Sequence, residues 1–200
     1  MLFNSFTFLV FFIIVYSLYL KLDHRRQNRM LLAASYIFYG WWDARFLILL
    51  FVSSGIDFFC GHKIFTANTS SRKKMFLALS ITSNLTILGF FKYYDFFAES
   101  LRLLLEYWGI TADIRLLHMV LPVGISFYTF QAMSYALDIY RGQLKPTKDL
   151  GDFLLIVSFF PHLVAGPIQR ASNLLAQVAT PRRLSQEQLT EGVWLFFYGL

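Results

Sequence analysis

Four polar side chains recur at helical spacing inside an otherwise apolar stretch. Gln131, Ser134, Tyr135 and Asp138 stand at i, i+3, i+4 and i+7 within Leu121 to Gly142, so one face of a helix carries them all. An amide, a hydroxyl, a phenol and a carboxyl on one stripe can hold or pass the polar groups of a substrate. Unpaired in hydrocarbon, each costs several kcal/mol, so the stripe is expected to look into a helix bundle or an aqueous cavity. Tyr128 lies one turn before Ala132, and Ala132 and Ala136 form a small-xxx-small pair that allows close helix approach. Pro122 falls where a first helical turn accepts a proline. The packing alternative is an Asp138–Arg141 pair at i, i+3, with Gln131 as a bond between helices.

A second stretch, Phe159 to Arg170 (FFPHLVAGPIQR), breaks helical rules. Pro161 and Pro167 each remove a backbone donor, and the residue before a proline is pushed out of the helical region. Broken backbone at membrane depth is tolerated only when it is surrounded by protein or lines a water-filled space. The run therefore reads as a re-entrant or broken helix, with His162 inside the break and Gln169 and Arg170 at its end. An intramembrane imidazole is a functional-site candidate by default, although it can equally satisfy a freed carbonyl.

The remaining reactive residues make weaker patterns. His24 and His62 fall in basic loops and His118 begins a span. No histidine pair stands at metal-ligand spacing, so metal binding is not expected. There is no GxSxG elbow and no phosphate-cradling GxxxxGK[ST]. Asp57 and Asn84 read as relay members or, in the plainer reading, as bonds between helices. Cys60, the sole cysteine, is an acylation site or a small apolar filler.

The elements that position these groups follow from composition. The 200 residues are 56% hydrophobic and 19% aromatic but only 15% charged, against about 25% charged in soluble chains. The expected spans are about 3–20, 30–42, 44–60, 75–91, 116–138 and 153–169, with 193–200 as the start of another. Most approach the roughly 20 helical residues that cross a bilayer. The expected fold is an all-α polytopic membrane helix bundle, broken near 159–170, forming one domain over 1–200. Trp41 and Trp42 with Asp43 and Arg45 suit the tip of a helical hairpin at a membrane interface.

Charge sets orientation. Lys21, Arg25, Arg26 and Arg29 outnumber Asp23, and Lys63, Arg72, Lys73 and Lys74 stand unopposed, whereas the tip at Asp43 and Arg45 is neutral and 92–115 is slightly acidic. Basic short loops stay cytoplasmic, which places the N-terminus outside. The net charge of +6 therefore reflects topology and lipid headgroups, and no zinc spacing, basic helix or RNA-binding aromatic motif points to nucleic acid.

Taken together, LPVGISFYTFQAMSYALDIYRG, FFPHLVAGPIQR, the N-terminal MLFNSFTFLVFF, the paired Trp41 and Trp42, and FFKYYDFF at Phe90 to Phe97 resemble the N-terminal part of the membrane-bound O-acyltransferase family, alginate O-acetylation type. The resemblance covers essentially all of the chain. It implies a multi-spanning bacterial inner-membrane enzyme that takes an acyl group, usually acetyl, from a donor such as acetyl-CoA. That group passes to hydroxyls of an exported polysaccharide or cell-wall polymer, with periplasmic or extracellular acetylation proteins as partners. Tyr128, Gln131, Ser134, Tyr135, Asp138, His162, Gln169 and Arg170 are then expected to line the passage. The family's presumed catalytic histidine lies in a Trp-His motif, and no Trp-His pair occurs here. On this resemblance the chain is expected to be an N-terminal fragment without a catalytic residue of its own. A transporter or channel fragment, and a non-catalytic scaffold for polysaccharide export, use the same polar faces and broken helices. The expected outcome for residues 1–200 alone is no acetyl transfer, checked by assaying the purified, reconstituted chain with acetyl donor and polysaccharide.

Overall fold

Ser5 opens the first helix. Its hydroxyl accepts the Phe8 amide at 3.1 Å, satisfying one of the donors a helix start leaves free, and α1 runs Phe6–Lys21. This is the computed structural model of the chain, describing residues 5–110, 115–117, 120–166, 169–182 and 185–198. Next come α2 (His24–Asp43) and α3 (Arg45–Thr66), joined by the single residue Ala44, itself helical. Thr69 caps α4 (Ser70–Tyr107), and α5 (Ile125–Tyr140) follows. The chain continues as α6 (Leu150–Ser158), α7 (Phe160–Ala165), α8 (Ala171–Ala179) and α9 (Gln186–Tyr198). Among the described residues there is no strand, and the fold is the expected all-α bundle.

The core forms around α3 and α5. Helix α5 packs on α3 and α4, while α6 lies against α2, α3 and α8. Leu50, Ile64, Tyr128, Tyr135, Phe153 and Leu155 are among its fully enclosed side chains. The outer surface is the reverse of a soluble protein's: Leu9, Ile13 and Ile14 of α1, Ile48 and Phe51 of α3, and Phe96 and Phe97 of α4 all stand exposed. Large apolar surface facing outward is what a lipid solvent requires. Two helices, Arg45–Thr66 and Ser70–Tyr107, are long and apolar enough to cross a membrane.

Several boundaries differ from the hydropathy pattern. Helix α4 continues to Tyr107, well past the Phe91 limit of its uncharged run. The charges beyond Phe91 are spaced for a helix: Arg102 pairs with Glu99 at 2.9 Å and with Glu106 at 3.6 Å, along i, i+3 and i, i+4. The basic segments are helix ends instead of loops, with Arg25, Arg26 and Arg29 in the first turns of α2 and Arg72, Lys73 and Lys74 in the first turn of α4. His62 likewise sits within α3. Pro122 precedes α5 without entering it, because Gly124 turns the chain with φ +73° before the helix begins at Ile125. His118, Pro167, Arg183 and Leu200 lie outside the described residues.

Gly124 also fixes a contact that matters below. A Cβ there would lie 2.4 Å from the Leu163 carbonyl oxygen, so only glycine lets the start of α5 rest against α7. Tyr39 supports the same corner by donating to the Val123 carbonyl at 3.0 Å. Gly109 has a similar φ of +75° but open space around it. Gly124→Ala is expected to lose about 3 kcal/mol, combining left-handed strain with a backbone clash, and Gly109→Ala only about 1 kcal/mol, measured by thermal unfolding in detergent.

Candidate functional site

The break between α6 and α7 is where the backbone chemistry is unusual. Phe159 adopts φ −55°, ψ 110°, outside the helical region, and Pro161 follows in the first turn of α7, where a proline is tolerated. In a continuous helix the Phe160 amide would donate to the Ile156 carbonyl. Here each is caught by a side chain from another helix. Gln131 of α5 donates through Nε2 to the Ile156 oxygen at 2.8 Å, and the Phe160 amide donates to Ser35 Oγ of α2 at 3.2 Å. Ser35 is completely buried and passes its own proton to the Leu31 carbonyl at 2.8 Å.

Ser134 serves the far end of the same segment. Its hydroxyl donates to the Gln131 carbonyl at 2.7 Å and accepts the Ala171 amide at 3.2 Å, capping α8 from a different helix because Arg170, the residue at the cap position, makes no side-chain cap. Gln131 and Ser134 of the polar stripe thus face the interrupted segment. Tyr128, Gln131, Tyr135 and Asp138 are buried, Ser134 is half-buried, and the Tyr128 hydroxyl and Asp138 Oδ2 are enclosed without a hydrogen-bond partner. The described ion pairs do not include Asp138 with Arg141.

His162 is half-buried on α7, its ring edge-on to Phe159 at 5.3 Å between centroids. Its Nδ1 is buried without a partner, so the carbonyl freed at the break goes to Gln131 and not to this nitrogen. Gly166 holds the segment from the other side by donating its amide to the His162 carbonyl at 3.1 Å. Gln169 is half-buried and Arg170 exposed.

Two further polar clusters tie helices together. Between α3 and α4, the fully buried Asp57 carboxylate accepts from Ser80 Oγ and, at 2.8 Å to each oxygen, from Asn84 Nδ2. Asp57 and Asn84 therefore bond helix to helix. Near the start of α2, Asn28 donates to Asp152 Oδ1 at 2.9 Å and to the Val178 carbonyl at 3.0 Å, while Arg182 donates to Asn28 Oδ1 at 3.0 Å and to the Gln177 carbonyl at 3.2 Å. Asn28 and Arg182 thus satisfy the carbonyls that the end of α8 leaves open. Cys60 is completely buried. At the α2–α3 joint, Arg45 grips the Asp43 carboxylate through Nε and Nη2 and holds that carboxyl below the usual range.

Two cavities flank this architecture. One, about 300 Å³ and mainly apolar, lies between α1 and the break, lined by Phe12, Tyr16, Ile156, Phe159, Phe160 and Pro161, with Arg182 at one edge. The other, about 520 Å³, is bounded by His24, Arg25, Arg29, Asp149 and Asp152. None of the eight residues expected to line a passage borders either cavity. Among the described residues no group of histidine, cysteine and carboxylate side chains is placed to hold a metal ion. Sequence spacing missed Ser35, Ser80 and Asn28. Ser35 is an isolated hydroxyl in an apolar run, Asn28 is hidden among the charges at the start of α2, and Ser80 stands one turn before Asn84 without a charge to draw attention to it.

A buried polar helix face set against an interrupted helix, in a bundle with an apolar exterior, defines a membrane protein built to keep polar groups away from lipid. No family model matches the chain and no solved structure matches it. Curated proteins do. The chain is 38% identical over its whole length to the "Probable alginate O-acetylase AlgI" of Pseudomonas aeruginosa and equally to that of Pseudomonas putida, covering 38% and 41% of those proteins. It is 31% identical, over 85% of its length, to the peptidoglycan O-acetyltransferase of Helicobacter pylori, covering 36% of it. The chain spans about two fifths of the length of these relatives. Along its full length it is related to the part of the alginate O-acetylases that it covers.

The Asp57 cluster yields a stability prediction. Asn84→Leu strands a buried carboxylate and is expected to cost about 3 to 5 kcal/mol, whereas Asp57→Leu with Asn84→Leu is expected to recover most of that loss. Thermal unfolding of the two single variants and the double, in one detergent, reads the cycle.

Proposed function

We propose that the protein works in a bacterial inner membrane as part of an O-acetyltransferase. An acetyl group from a donor such as acetyl-CoA is delivered to hydroxyls of an exported polysaccharide or cell-wall polymer. The observation that carries this reading is the identity, sustained along the whole chain, to relatives named for O-acetylation of alginate. The geometry supports it physically: a polar stripe on α5 and an interrupted α6–α7 segment face each other inside the bundle, where broken backbone and polar side chains are shielded from lipid. In this reading Tyr128, Gln131, Ser134, Tyr135 and Asp138, with His162, Gln169 and Arg170 from the interrupted segment, form the protein side of the acyl route.

Orientation follows from charge. Arg25 and Arg26 of α2, and Arg72, Lys73 and Lys74 of α4, crowd the positive ends of their helix dipoles, an arrangement unfavourable for the helices themselves. Anionic headgroups and cytoplasmic retention of basic segments would account for it, and in this reading these ends lie in the cytoplasm and the N-terminus outside. Acetylation proteins on the outer side of the membrane would receive or use the transferred group.

His162→Ala and Asp138→Asn are expected to lower acetyl ester on the exported polymer by about tenfold at unchanged membrane levels of the protein, the scale of one lost polar contact. Ester content per unit of membrane protein, in a host lacking its own copy, makes the measurement. Ester falling only in proportion to protein level would overturn the route assignment.

A further inference from the structure

We propose that Ser35 and Gln131 are positioning residues for acyl transfer, holding open the helix break at Phe159 and so fixing His162 and the wall of the adjoining apolar cavity. The proposal rests on the acyl-transfer reading above. Pro161 alone does not dictate this geometry. Its missing donor concerns the Val157 carbonyl, and the bond one residue earlier, from the Phe160 amide to the Ile156 carbonyl, remains available to a kinked but continuous helix. That bond is absent because both of its halves are taken. Gln131 Nε2 holds the carbonyl at 2.8 Å and Ser35 Oγ holds the amide at 3.2 Å, from two helices on different sides of the segment.

Taking both halves has two consequences for neighbouring side chains. Phe160 turns into the core, its ring 5.4 Å from Phe11 and 5.5 Å from Phe38, while Phe159 turns toward His162. Ile156, Phe159, Phe160 and Pro161 then form one wall of the cavity of about 300 Å³. Closing the break would add the residues after Ser158 to the α6 spiral and rotate His162 about the helix axis, away from its present setting against Phe159 and Gly166. Ser35 and Gln131 bond to the backbone of Phe160 and Ile156, and in this role they act through the backbone.

The two side chains hold opposite ends of one severed bond, which gives the test its signature. Hydrogen exchange at the Phe160 amide and acetyl ester per unit of membrane protein are measured for the same variants in the native membrane. Ser35→Ala leaves the amide unpaired and is expected to raise its exchange about tenfold and lower ester about tenfold, and Ser35→Thr, which keeps the hydroxyl, restores both. Adding Gln131→Leu frees the Ile156 carbonyl to take the amide back. Exchange then returns toward the wild-type rate while ester stays low, a separation that a merely structural role cannot produce.

Unchanged exchange in Ser35→Ala overturns the proposal, as does failure of Ser35→Thr to rescue. So does a double variant that exchanges faster than Ser35→Ala, or one that regains both protection and ester. Absence of ester with the wild-type sequence carried in the complete acetyltransferase, of which this chain is a part, overturns the acyl-transfer reading itself, and the positioning role with it. The exchange rates still report separately on whether the break is pinned.

Discussion

A backbone amide and a backbone carbonyl that have lost each other must find partners before they can exist in a medium without water. At the α6–α7 break this requirement governs the arrangement of three other helices. Gln131 must reach Ile156 and Ser35 must reach Phe160, while Ser134 must meet Ala171, so α2 and α5 are held in fixed register against the interrupted segment. Gly124 then follows as a steric necessity, because the start of α5 has to pass directly over the Leu163 carbonyl. The polar residues of α5 are best understood as the complement of the missing helix bonds: the sequence that breaks one helix is answered on another.

The same economy recurs elsewhere in the bundle. Asp57 of α3 meets Ser80 and Asn84, which stand one turn apart on α4, so a single carboxylate fixes both rotation and height of the two helices. Asn28 closes the end of α8 from α2 with both its donor and its acceptor engaged. In each case a short polar side chain does what water does at the surface of a soluble protein. The apolar exterior requires nothing further, since Leu9, Ile13, Ile48 and Phe51 are in their preferred solvent when they face lipid.

Much of this was legible in the sequence where periodicity carried it. The spacing of Gln131, Ser134, Tyr135 and Asp138 placed them on one face, and Pro161 marked the interruption within two residues. Hydropathy did not reveal the charged continuation of α4, because Lys92, Asp95, Glu99, Arg102 and Glu106 look like a loop until their helical spacing is considered. Ser35 left no signal, being one hydroxyl in an apolar run whose importance comes from a partner 125 residues away. The basic residues look like loops if charge is assumed to end a helix, whereas Arg25, Arg26 and Arg72 to Lys74 begin theirs. The family likeness came from the two long motifs and agrees with the identity along the whole chain.

The reach of α4 has its own consequence. At about 1.5 Å per residue its 38 residues extend roughly 57 Å, against a hydrocarbon thickness of about 30 Å, and a tilt of even about 40° leaves more than ten ångströms of overhang. The surplus is the charged end, stiffened by Arg102 bridging Glu99 and Glu106. A helix of this length set across a bilayer carries its charged end out of the hydrocarbon and into the headgroup region.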